Sequence, residues 1–170
     1  MVKNVKINIA SVLKNDGAST DFSGEVSLGR VEFMGSMFDF RQPLSVVGKV
    51  LNIGGTLEIS ASITGGYITE CSRCGKLVAE EFSSDLFESL DNDFSDIDEE
   101  CISIQGNVMD ISGSIEACIF GNIPMQSLCS EDCKGLCPKC GINLNENECN
   151  CDTTVYDPRF AIFRNLSEEV

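Results

Sequence analysis

At 170 residues the chain is sized for one domain with a small appendage, and its 42% hydrophobic content is enough for one core. With 27 acidic against 12 basic residues it carries a formal charge of −15, which repels phosphate at long range. Histidine is absent, which removes the commonest general base and every mixed histidine–cysteine metal site.

The chain opens with Val5, Ile7 and Ile9 alternating with polar residues, which predicts a strand over 5–9. Residues 14–24, rich in Asn, Asp, Gly and Ser, read as a loop. Val26, Leu28, Val31, Phe33, Met37, Phe38 and Phe40 then suggest strand. The clearest β signal follows: Leu44, Val46, Gly48 and Val50 alternate, Gly54-Gly55 turns, and Leu57, Ile59, Ala61 and Ile63 alternate again, as in a hairpin. Gly65-Gly66 suggests a bulge or bend. The strand continues through Ile68 to Cys71-Ser72-Arg73-Cys74-Gly75-Lys76 and returns through Leu77, Ala79 and Phe82, so a Cys-x-x-Cys pair sits at the tip of a long hairpin.

Residues 83–100 are strongly acidic, and no lysine or arginine occurs between Lys76 and Lys134. A solvated acidic loop accounts for this; a dock for a basic partner is the sharper reading. The Asp-x-Asp spacing lacks the glycine and terminal glutamate of a calcium loop. Short strands at Ile102 to Ile104 and Val108 to Ile111 come next, with Asp110 capping a helix at about 111–122 whose Ile111, Ile115, Cys118 and Ile119 share a face. Cys118 reads as a small buried hydrophobe, and Cys101 as buried or incidental rather than a nucleophile. Pro124 ends the helix, and Asp157-Pro158 opens a final helix over 153–170 with Phe160, Phe163 and Leu166 on its apolar stripe.

No apolar run approaches the ~18 residues of a membrane span. The opening Met1 to Ile7 lacks the apolar core of a secretion signal, so a cytoplasmic location is expected. Reducing conditions there favour metal over disulfides as the use of the cysteines. Six of the ten lie between Cys129 and Cys151. Cys137-Pro138-Lys139-Cys140-Gly141 is a turn with proline inside and glycine after it, the knuckle that a tetrahedral zinc needs. Without Cys101 and Cys118, eight remain. One set of four is Cys137, Cys140, Cys149 and Cys151. A rival puts Cys129 or Cys133 in place of one of the closely spaced Cys149 and Cys151. A second set would join Cys129 and Cys133 to Cys71 and Cys74, clipping the hairpin to the C-terminal segment. One or two structural zinc ions per chain are expected, since four thiolates leave no open position for water.

The expected fold is α+β, an antiparallel β-rich core (sheet or partial barrel) with two or three helices and a C-terminal cysteine-rich zinc-knuckle segment. Residues 1–126 would form the core, with the acidic loop at 83–100; 127–152 would form the zinc segment and 153–170 a helix packed on the core.

Cys71-Ser72-Arg73-Cys74, Asp110 before a helix ending in Ile123-Pro124-Met125, the run from Cys133 to Asn145 with its Cys-Lys-Gly-Leu-Cys-Pro-x-Cys-Gly core, and Asp157-Pro158-Arg159 resemble the YceD family, also called large ribosomal RNA subunit accumulation proteins. The similarity runs from about residue 44 onward. It implies a bacterial cytosolic factor for accumulation of 23S ribosomal RNA and large-subunit assembly, whose partner is a large-subunit precursor. The charge suggests that a basic ribosomal protein mediates the contact and disfavours direct binding to bare RNA. Two alternatives stay open: a zinc-ribbon that reads nucleic acid through Lys134, Lys139 and Arg73, and a thiol redox switch. Without a phosphate loop, a nucleophile elbow or histidine, no enzyme is expected.

Overall fold

A computed structural model describes residues 5–91 and 100–152. The helix predicted over 153–170, and the part of the acidic segment at 92–99, lie outside the described residues. Among the described residues the regular structure consists of two antiparallel sheets and two short helices. The small sheet contains β1 (Lys6–Asn8), β8 (Ser103–Gln105) and β9 (Val108–Asp110) in the order β1-β9-β8. The large sheet contains β2 (Ser19–Val26), β3 (Gly29–Phe33), β4 (Ser36–Phe40), β5 (Leu44–Ile53), β6 (Thr56–Glu70) and β7 (Leu77–Asp91). Its order is β2-β5-β6-β4-β3, with β7 on β6. The helices are α1 (Ala10–Lys14) and α2 (Ser112–Asn122). Among the described residues no pairing joins β2 to β3 or to β7, so the large sheet is open rather than a barrel, and β7 is an edge strand.

The predicted hairpin is β5–β6, in register from Ser45↔Thr64 to Ile53↔Thr56. Gly54 at φ 60° and Gly55 at φ 100° make the tight turn, a conformation other residues resist. The inward row Leu44, Val46, Val50, Leu57, Ile59 and Ile63 is fully buried. It joins Val5, Ile7, Ile9, Val12, Met109, Ile111, Ile115 and Ile119 in one core that draws on both sheets and both helices.

Three expectations are corrected. Residues 14–24 are not all loop: Ser19–Val26 pair along β5 as β2, and the polar sequence STDFSGEV hides this because one face is solvated. Gly65-Gly66 makes no bulge, since β6 pairs with β7 without a break through Gly65↔Phe82 and Gly66↔Glu81. Glycine is needed at 65 because Leu44 packs where a Cβ would stand. The acidic loop expected at 83–100 is strand over its first part: residues 83–91 belong to β7, where Phe82, Leu86 and Leu90 face the core and Glu81, Asp85 and Asp91 face water.

Asp110 ends β9 instead of opening α2, but its carboxylate still accepts the N–H of Ser112 at 3.0 Å where the helix begins. Cys118 is only half-buried, with its Sγ 3.3 Å from Ser84 Oγ.

Candidate metal centres

The fifteen-residue strands β6 and β7 carry the tip Cys71–Lys76 away from the core to the cysteine-rich segment. At the tip the N–H of Cys71 donates to Lys76 O at 2.8 Å, and the N–H of Gly75 to Cys71 O at 2.9 Å. The same two bonds recur at the second turn, Cys137 N–H to Ile142 O at 2.8 Å and Gly141 N–H to Cys137 O at 2.9 Å. Gly75 and Gly141 both sit at φ 72°. The two turns are therefore one local structure built twice, each aiming a pair of sulfurs to the same side.

The eight thiols gather into two groups, Cys71, Cys74, Cys129 and Cys133 in one and Cys137, Cys140, Cys149 and Cys151 in the other, with the sulfurs of each group within 4.8 Å of one another. Cys71 Sγ lies 3.8 Å from Cys133 Sγ, and Cys74 Sγ 3.6 Å from Cys129 Sγ. A tetrahedron with metal–sulfur bonds of about 2.3 Å has edges of about 3.8 Å, whereas a disulfide needs about 2.05 Å. None of the eight is joined in a disulfide, and both quartets suit a thiolate-loving ion. Of the sharing schemes left open by spacing, this is the one that pairs Cys129 and Cys133 with the hairpin tip; neither replaces Cys149 or Cys151.

Backbone contacts lock the first group in place. Ser72 N–H donates to Ser127 O at 2.8 Å, Leu136 N–H to Arg73 O at 3.2 Å, and Arg73 Nη1 to Cys133 O at 2.9 Å. Gly135, at φ 74°, lets the chain pass close to Arg73 O. Cys71, Cys74 and Cys133 are buried and Cys129 half-buried, whereas in the second group Cys137 is buried, Cys140 exposed and Cys149 and Cys151 half-buried. The first group is thus an inner centre and the second an outer one.

Burial pushes the Cys71 thiol up, but N–H groups of Cys129, Arg73 and Cys74 outweigh it and hold the thiol at about 6. Cys137 is also held at about 6, chiefly by the N–H groups of Cys140 and Lys139. Cys133 is lowered although burial opposes it, through Gly135 N–H and the Asn145 side chain. Cys129 is pushed up to about 12 by its thiol contacts with Cys133 and Cys74 and then by burial. Cys151 is pushed up to about 12 by its contact with Cys140 and by burial. Thiols crowded this closely do not all ionise side by side unless a cation joins them.

Gly135 and Asn145 escaped the sequence reading as parts of the site, and Arg73 stood there only as a possible phosphate contact, not as the side chain that holds Cys133 O. The repeat of glycine directly after Cys-x-x-Cys, at Gly75 and Gly141, was a signal that the two turns are alike.

The family described as large ribosomal RNA subunit accumulation protein YceD matches residues 59–167, close to two thirds of the chain. The chain belongs to the YceD family. The family match takes in most of β6, all of β7 and α2, and both cysteine groups, and leaves β1 to β5 outside. A protein of Arabidopsis thaliana described as large ribosomal RNA subunit accumulation protein YCED homolog 1, chloroplastic, is 36% identical over 62 residues, which is 36% of this chain and 19% of that protein. The match thus spans about a fifth of that relative's length. No solved structure matches the chain.

Proposed function

We propose that the chain is a non-enzymatic factor that supports accumulation of 23S ribosomal RNA during assembly of the large ribosomal subunit, with zinc in both cysteine centres. The observation that carries the scaffold reading is that, among the described residues, each quartet consists of four thiols. Four thiolates complete the coordination of zinc and leave it no position for water or substrate, so the ion ties the β6–β7 tip to the C-terminal segment instead of doing chemistry. Such thiols persist in a reducing compartment, which supports a cytoplasmic setting.

Charge guides the choice of partner. Each zinc tetrathiolate adds two negative charges to a chain already at −15. Lys134 and Lys139 stand among Glu131, Asp132, Glu146 and Glu148, which supports contact with a basic ribosomal protein over bare RNA. Zinc-loaded protein is expected to bind basic large-subunit proteins at low salt and to release them as salt rises. Tight binding to naked 23S fragments at physiological salt, measured by gel shift, would sink this reading in favour of a nucleic-acid-reading ribbon.

A further inference from the structure

We infer that Asn145 couples the two centres, so that closing the outer one completes the inner one; this rests on reading both quartets as metal-binding. Asn145 lies between Cys140 and Cys149, inside the loop that the outer quartet ties off. Its side chain nevertheless serves the other centre: Nδ2 donates to Cys133 Sγ at 3.4 Å.

The orientation of this amide is fixed. Oδ1 accepts the backbone N–H of Lys134 at 2.8 Å, and a backbone N–H can only donate. The nitrogen therefore faces the sulfur. Asn143 braces the same residue, with its Oδ1 accepting Asn145 N–H at 3.0 Å and Nδ2 at 2.8 Å. Leu144 N–H to Gly135 O at 3.0 Å pins the near end of the loop, and its far end runs into Cys149 and Cys151. With no ion to gather those two sulfurs, the far end loses its anchor, and only the near-end contacts are left to hold Asn145 against Cys133. An N–H on a ligating sulfur disperses thiolate charge and orients the ligand, and loss of such a partner typically weakens metal binding ~10- to 100-fold. The outer centre, open at Cys140 though Cys137 is buried, thus governs the inner one, and it is also the one a chelator reaches first.

The test uses the full chain loaded with 113Cd, one resonance per centre, and chelator competition at each. Wild type is expected to hold two ions. Asn145→Leu, and Asn145→Asp, which keeps the acceptor for Lys134 but removes the donor, should each shift the inner resonance and weaken the inner site ~10- to 100-fold, leaving the outer one in place. Cys151→Ser should empty the outer site and weaken the inner one similarly. The double variant Asn145→Leu with Cys151→Ser should be no weaker at the inner site than either single variant. Two ions in wild type with an inner site indifferent to both Asn145 variants, or with additive losses in the double variant, would overturn the coupling alone. Fewer than two ions in wild type would overturn the reading of both quartets along with it.

Discussion

The thiol groups differ in how readily they give up a proton, and this sets how metal uptake responds to pH. Cys71 and Cys137, at about 6, are ionised at neutral pH, while Cys129 and Cys151, at about 12, still hold protons that an entering ion must displace. Uptake therefore releases protons, and affinity rises with pH. Below about pH 6 Cys71 and Cys137 must also be deprotonated by the ion, so the fall steepens there. A cobalt titration followed by its thiolate absorption from pH 5 to 8 should show this break, and a slope constant across pH 6 would contradict it. Backbone conformation makes a second difference between residues that look alike. Gly135→Ala puts a Cβ at φ 74° against Arg73 O and should cost ~1–2 kcal/mol. Gly121→Ala meets nothing within 4 Å on α2 and should stabilise by up to ~1 kcal/mol. Thermal melts of the two variants should move in opposite directions.

Strands differ in what they write into the sequence. The β5–β6 hairpin was legible because one face is wholly apolar and Gly54-Gly55 stands between two alternating runs. Ile59, fully buried at its centre, should cost ~2–5 kcal/mol as alanine. Val47, 58% exposed on the other face, should cost within ~0.5 kcal/mol as serine. Urea melts read both. β2 was illegible because its partly buried residues include Thr20 and Gly24, and the end of β7 beyond Phe82 because its acidic outer face masked the inward Leu86 and Leu90. Helix α1 left no trace in the reading either: five residues, with only Val12 fully buried, are too few to show a period. In the candidate site all eight cysteines stood out from spacing, and the outer quartet was the first assignment, beside a rival with Cys129 or Cys133 in place of Cys149 or Cys151. The inner quartet stood only as one hypothesis, because its halves lie 55 and 62 residues apart and meet through the length of β6 and β7. Asn145 could not be found at all: an asparagine in a polar loop is ordinary until the loop is seen against Cys133.

For the molecule as a whole, metal in the two quartets would take over work that a hydrophobic core does elsewhere. The main core stops short of the hairpin tip, and the small buried cluster there is mostly cysteine, Cys71, Cys74 and Cys133 with Val78, Leu128 and Cys129 against it. Stripping metal with a strong chelator should loosen residues 127–152 and the β6–β7 tip while the main core persists. Hydrogen exchange would show protection lost at the tip and kept around Ile59 and Ile115; uniform loss would mean one cooperative unit. The placement of β7 has a further consequence, independent of any ribosomal partner. A fifteen-residue strand with one flank unpaired among the described residues is a template on which further copies could stack. Glu81, Asp85 and Asp91 line its watery face, so two such margins repel when they meet. Neutralising the three together should turn a clear solution turbid at high concentration, and light scattering would register it.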